Sequence, residues 1–184
     1  MAETWVVSDT HFGHKNIINF GEMRKDFTNI DQADEAMVEA WNSVVHKRDV
    51  VLHLGDVAWN VKSFEHLREC HGQKKLILGN HDTYSMDVYS KYFLKVYGSL
   101  KKGEILFTHI PIIFDKYHMW EYNVHGHIHH KEDNIPDWRY YNDNVDVQGM
   151  VPVNLDYLIS YFKHRKLIWM ETRLYENPEK YGGL

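Results

Sequence analysis

Val50-Val51-Leu52-His53-Leu54-Gly55-Asp56 is the stretch on which the reading of this chain turns. Its first five residues are apolar or histidine, the composition of a strand buried in a parallel or mixed sheet. The run stops at Gly55, and a single carboxylate, Asp56, stands at its end. Ligands of open α/β sheets bind at strand ends. The same construction returns in Val6-Val7-Ser8-Asp9-Thr10-His11, in Leu76-Ile77-Leu78-Gly79-Asn80-His81-Asp82 and in Ile105-Leu106-Phe107-Thr108-His109. Val124-His125-Gly126-His127 completes the set. Apolar segments that each end in Asp, Asn or His can bring those ends to one sheet edge. That pattern points to a metal site with Asp56 at its centre.

The 184 residues are the length of one domain, and a single domain over 1–184 is expected. With 43% apolar and 26% charged residues, the composition is that of an ordinary soluble globular protein. No apolar run approaches the ~20 residues that a bilayer span needs, and the N-terminus enters a strand without a basic or apolar leader. Cys70 is the lone cysteine, which excludes an intramolecular disulfide and suits a reducing, cytoplasmic compartment. The net charge of −5, with no Lys/Arg run longer than two, argues against gripping an extended nucleic acid. Histidine is the outlier, with 14 copies against six arginines. It is the commonest metal ligand and titrates near neutral pH.

Local patterns predict strands over Glu3–Ser8, Asp49–Asp56, Lys75–Leu78 and Tyr122–His125. A helix capped by Asp31 is expected to bury Ala33, Met37, Trp41, Val44 and Val45. Further helices are expected from Ser63 through Cys70, over Tyr84–Val96 and over Asn154–His164, the last with Leu155, Leu158, Ile159 and Phe162 on one face. A hairpin joins Gly98–Leu100 to Glu104–Thr108 through Lys101-Lys102-Gly103. Arg139–Val147 and Lys166–Leu174 read as strands, His129–Trp138 as an exposed loop, and the segment ending Gly182-Gly183-Leu184 as a loosely held tail.

Asp9-x-His11 sets two ligands at i and i+2, on the same side of an extended backbone. A carboxylate with an imidazole suits a borderline divalent metal such as Mn, Fe, Co, Ni or Zn. His125-Gly126-His127 repeats the spacing, with a glycine that lets the backbone turn close to the site.

Taken in order, Asp-x-His, Gly-Asp, Gly-Asn-His-Asp, a lone His after an apolar strand and Gly-His-x-His resemble the calcineurin-like metallophosphoesterase superfamily. The likeness runs from Asp9 to His127 and extends into Asn144-Val145-Asp146-Val147 and Pro152-Val153-Asn154-Leu155, which look like the close of small bacterial and phage members. The resemblance implies a four-layer α/β/β/α sandwich of two facing mixed sheets, with metals at one edge. It implies two divalent ions, manganese first and nickel, iron, cobalt or zinc also accepted, bridged by Asp56. One would be held by Asp9, His11 and His127, the other by Asn80, His109 and His125. Two ions ~3.5–4 Å apart need a shared carboxylate to offset their repulsion. Two ligand carboxylates against two dications leave a charge of about +2, which suits an anionic phosphoester.

The implied reaction is in-line attack on phosphorus by a hydroxide between the metals. His81 would protonate the leaving oxygen, and Asp82 would orient His81 or raise its pKa. His14 and Arg24 are candidate substrate contacts, although an exposed loop is the plainer setting for His14. His53 reads as a hydrogen-bonded core residue, and His129 and His130 as cleft-lining or solvated. Trp59, Tyr84, Trp120 and Trp138 lie near loops facing the site, where they would stack on a base or simply wall the cleft.

Serine/threonine protein phosphatases of the superfamily continue Gly-Asp into Asp-Arg-Gly, whereas Asp56 is followed by Val57-Ala58-Trp59-Asn60. Without that arginine a monoanionic diester is the better match, so a phosphodiesterase acting on a cyclic nucleotide, a dinucleotide or a nucleic-acid end is expected. The alternatives are a phosphomonoesterase of a small metabolite and a non-catalytic metal-binding scaffold of the same fold.

Overall fold

The first sheet grows outward from the strand quoted above. The computed structural model describes residues 2–20, 23–114, 119–131 and 138–176. In it β1 (Thr4–Val7), β2 (Val50–His53), β3 (Gln73–Ile77) and β4 (Lys95–Tyr97) run parallel in the order β4-β3-β2-β1. The second sheet holds β5 (Leu100–Lys102), β6 (Ile105–Phe107), β7 (Tyr122–His125) and β8 (Tyr140–Asn142) in that order. Its β5 pairs antiparallel to β6 and the other strands are parallel. A last short strand, β9 (Val153–Asn154), returns antiparallel to β1. Both sheets are therefore mixed.

Period-2 alternation divides the core. Val7 and Val51 pack with Met37 and Trp41 of α1 (Ile30–Val44), while Val6 and Leu52 face Ile105, Phe107 and Val124 of the second sheet. The central strands β1 and β2 are covered on both faces, which explains why Val6-Val7 and Val50-Val51-Leu52 read as apolar runs. α1 starts at Asn29, whose side chain accepts the Gln32 N–H at 3.0 Å, so the cap lies two residues before the expected Asp31. Ala33, Met37 and Trp41 form the buried stripe as the spacing predicts.

Tertiary pairing overrides several local expectations. The helix from Ser63 starts earlier, as a 3-10 turn over Val61–Glu65 capped by Asn60, and runs into α2 (His66–Glu69). Over Tyr84–Val96 only α3 (Met86–Tyr89) is helical, because Lys95 to Tyr97 pair with β3 instead. The hairpin turns at Gly103-Glu104, with Lys102 opposite Ile105. Arg139–Val147 divides into β8 and α4 (Val145–Gln148), whose N-terminus is capped by the Asn144 side chain on the Asp146 N–H. Lys166–Leu174 is not a strand: α5 (Leu155–Glu176) continues through it, since no Gly or Pro stands between His164 and Glu176 to stop the helix. Leu155, Leu158 and Phe162 are buried in the inter-sheet core, whereas Ile159 faces out. The Gly182-Gly183-Leu184 tail and residues 132–137 of the predicted loop lie outside the described residues. No described helix is long and apolar enough to cross a membrane.

Main-chain hydrogen bonds draw the strand ends together. The N–H of Asp9 donates to Gly55 O at 3.0 Å, Gly126 N–H to His109 O at 2.9 Å, and Val145 N–H to Ser8 O at 3.1 Å. Ser8 and Asn144 form a parallel bridge that joins the two sheets at this edge.

Candidate metal centre

Backbone strain is concentrated where the strands end. Among the described residues, six non-glycine positions have positive φ, and five of them are Asp9, His11, Asp56, His127 and His129. Such conformations persist only where surrounding structure enforces them, and they cluster at functional sites. Two glycines make the approach possible. A Cβ at Gly79 would collide with the Asp56 carboxylate, and one at Gly126 with Ser8 Oγ and the Asp9 carboxylate.

Two groups of three ligand atoms result, each with its atoms within 4.8 Å of one another: Asp9, His11 and His129, and Asp56, His109 and His127. Asp56 stands between them. Its Oδ2 is 3.6 Å from His11 Nε2 and 3.3 Å from His109 Nε2, and its Oδ1 accepts the His81 N–H at 2.9 Å. Burial opposes ionisation of Asp56, but the His109 hydrogen bond and charge, with the His81 N–H, outweigh it and hold the carboxyl down at about 2. Burial raises Asp9, while the positive field of His109 and the Ser8 hydroxyl act against it.

Burial prepares His11 and His125 as lone-pair donors, whereas the hydrogen bond and charge of Asp56, with Asp9, overcome burial and raise His109. Burial pushes His11 down to about 3 against the pull of Asp56, and His125 down to about 4. His109 Nδ1 donates to Leu54 O at 2.8 Å, which turns Nε2 toward Asn80 Oδ1 at 2.9 Å and Asp56. His125 Nδ1 donates to Gly126 O at 3.0 Å and leaves its Nε2 as the free donor atom. A backbone carbonyl on the far nitrogen is the usual way a ligating histidine is oriented.

The arrangement differs from the expected ligand sets in two places. His127 directs its ring toward His109 and Asp56, and only its N–H reaches the Asp9 carboxylate, at 3.0 Å. His129 takes the place beside Asp9 and His11. His125 is not part of these two groups, and Asn80 Oδ1 lies 2.9 Å from His109 Nε2, beside the second of them. The sequence signal for His129 was the continued i, i+2 spacing of His125, His127 and His129.

The residues expected to act on substrate separate into three settings. His81 is exposed and its ring stands edge-on to His11, with centroids 5.5 Å apart. Asp82 is buried and does not orient His81: its two oxygens take the N–H groups of Asp56, Val57 and Gly79 at 2.8, 3.1 and 2.8 Å. His14 is half-buried and stacks on Trp59 at 3.8 Å between centroids. Arg24 is fully buried and cannot touch a substrate. It donates to Asp146 Oδ1, Thr10 O and Asp9 O at 2.8, 2.8 and 2.9 Å, so it grips the ligand-bearing loop from behind. His53 is a core residue held between Thr10 Oγ1 and the Gly55 N–H. Burial pushes the Cys70 thiol up to about 12, which makes it inert.

Among the described residues, two clefts reach the centre. One of 510 Å³ is lined by His11, His14, Phe20, Trp59, His81 and His129, and the other, of 570 Å³, by Asn80, Leu106, His109, Ile110, Ile112 and Trp120. Trp138 packs on Tyr122 and Trp169 instead, and Tyr84 supports the Trp59 carbonyl through its hydroxyl.

The donor set fits divalent ions. Two carboxylates lie at 0% and 2% exposure, and among the described residues the side chains within ion-pair reach of them are imidazoles, so a bound cation is the natural counter-charge.

The model of one family, calcineurin-like phosphoesterases, matches residues 3–173. An uncharacterized protein, MJ1445 of Methanocaldococcus jannaschii, is 27% identical over 180 residues, covering 91% of this chain and 96% of that protein. The Gene 66 protein of Mycobacterium phage L5 is 36% identical over 87 residues, which is 45% of this chain and 41% of the phage protein. Among solved structures, a protein of unknown function, AQ665 of Aquifex aeolicus, superposes with a TM-score of 0.69 at 26% identity, over 87% of this chain and 99% of the other.

Proposed function

The chain belongs to the calcineurin-like phosphoesterase family, and from that premise we propose that it hydrolyses small phosphodiesters in a metal-dependent reaction. The observation that carries the diester is the pair of clefts. A diester has two substituents to seat, and each cleft touches a different part of the candidate ligand set. Trp59, 46% exposed, and Phe20, 63% exposed, give the first cleft flat apolar faces suited to a planar ring such as a nucleobase.

Two divalent ions, manganese first, would supply Lewis acidity and an activated water. Asp56, between the two histidine groups, would be the shared ligand, and Asp9, His11, Asn80, His109, His125 and His127 would be the others this reading draws on. His81, solvent-exposed at the cleft wall, would give a proton to the leaving oxygen. Among the described residues Lys131 is the one Lys or Arg that lines either cleft, and so sparse a positive lining favours a monoanion over a dianion.

The test is hydrolysis of an aryl phosphodiester beside the matching monoester, by metal-stripped protein resupplied with Mn, Ni, Co, Zn or Mg. Cleavage of the diester that depends on metal and disappears in Asp56→Asn and His81→Ala supports the reading. Cleavage of the monoester alone makes the protein a phosphatase, and two bound ions without turnover make it a scaffold.

A further inference from the structure

We propose that His129 is a metal ligand, completing with Asp9 and His11 one ion site of this centre. The inference rests on the metal-dependent reading above and assigns one of its ligands.

Four observations converge on His129. Its Nε2 lies 3.9 Å from Asp9 Oδ1, and its ring is stacked on that of His11, 5.4 Å away at 17°. The Asp9, His11 and His129 ligand atoms are mutually close enough to share one ion. The far nitrogen, Nδ1, donates to Asp146 Oδ2 at 2.9 Å, so in the neutral ring the lone pair is on Nε2, the nitrogen turned toward Asp9. Carboxylate–imidazole–metal triads fix tautomer and ring orientation in this way. Finally, its backbone is held at φ +48° and its carbonyl takes the Asn142 Nδ2–H at 2.7 Å, which fixes the direction of the side chain.

The supporting network is the distinctive part. Asp146 is buried, and its other oxygen takes Arg24 Nε at 2.8 Å. The same guanidinium holds the carbonyls of Thr10 and Asp9. One arginine thus sets the spacing between the Asp9–His11 turn and the carboxylate that aims His129. A histidine serving only to contact solvent or substrate needs no such support. His127, which the family resemblance puts beside Asp9, keeps its ring with Asp56 and His109.

The test uses the full chain, stripped of metal and titrated with Co(II). Visible absorption and calorimetry report coordination and affinity separately from catalysis. Wild type is expected to bind two ions. His129→Gln should bind one as before and the second about tenfold to 100-fold more weakly, with an altered spectrum. Asp146→Asn should weaken the same ion by a smaller factor, and circular dichroism identifies any variant that fails to fold. Two ions bound by His129→Gln with wild-type affinity and spectrum overturn the proposal and leave the metal-dependent reading standing. Wild type that binds no ion overturns both.

Discussion

Asp82 accepts the backbone N–H of Asp56 at 2.8 Å, so one carboxylate fixes the main chain that carries another. The same oxygen takes the Gly79 N–H and the second oxygen takes that of Val57. Asp82 is therefore the clasp between the turns after β2 and β3. Replacing it by Ala leaves three N–H donors without their acceptor. The expected loss is about 2–4 kcal/mol of folding stability, measured by urea unfolding of the metal-free protein. Asp82→Ala should also reduce metal affinity, because the Asp56 carboxylate loses its anchor. Unchanged stability in that variant would show that water replaces the clasp at no cost.

Gly126 gives a second test of crowding at the centre. A Cβ there meets Ser8 Oγ and the Asp9 carboxylate, whereas one at Gly98 has nothing within 4 Å. Gly126→Ala should cost about 1–3 kcal/mol through forced displacement, and it should weaken metal binding because Asp9 is what must move. Gly98→Ala should stay within about 0.5 kcal/mol. Urea midpoints of the two variants, compared at equal slope, decide it.

The strands that carry the site were readable because chemistry and hydrophobicity coincide in them. β1 and β2 are largely apolar and β3 ends in the apolar pair Leu76-Ile77, each followed within a few residues by Asp or Asn. The α1 stripe was readable through Ala33, Met37 and Trp41. β4 was not, because Lys95 to Tyr97 become a strand only by pairing with β3. α5 was misread beyond His164 because exposed Leu167, Ile168, Trp169 and Met170 look like residues seeking a sheet, yet nothing interrupts the helix.

At the site, the gathering of carboxylates and imidazoles at the strand ends was readable and their partnerships were not. The Arg24–Asp146 pair joins positions 122 residues apart, and no local spacing announces it. Arg24 therefore looked like a substrate contact, and Asp82 like a partner of its neighbour His81. Folding assigned both to the backbone of the ligand turns instead.

Asp34 provides a pH dependence outside the ligand set. It is buried, its Oδ2 accepts the Gly13 N–H at 2.7 Å, and its Oδ1 has no partner. Burial raises its carboxyl to about 7. A folded-state value above the unfolded 3.8 means that the folded chain binds this proton more tightly. Its contribution to stability is full below about pH 3.8 and is lost as pH rises through about 7. The ceiling is ~4 kcal/mol, reduced by any positive charge on His66, whose Nε2 lies 3.6 Å away. Asp34→Asn keeps the acceptor for Gly13 and removes the titration. The variant should be the more stable protein at pH 8, with the difference vanishing near pH 4, as measured by urea unfolding across that range. A constant difference at all pH values would mean that Asp34 does not titrate in this window.

Trp59 tests the substrate cleft without touching a proposed ligand. Its ring stacks on His14 at 3.8 Å, lies 5.4 Å from the His81 ring, and remains 46% exposed. A ring seated there gains stacking and apolar burial in both the bound ground state and the transition state, which is uniform binding. Trp59→Ala should therefore raise KM for an aryl phosphodiester about tenfold, equivalent to ~1.4 kcal/mol, with kcat little changed. Trp59→Phe should recover most of the loss, since it keeps a flat apolar face. For a diester with two small alkyl groups the same substitution should leave KM nearly unaltered. A drop in kcat at constant KM would place Trp59 in the alignment of His81 rather than in substrate recognition, because only the chemical step would then have been damaged.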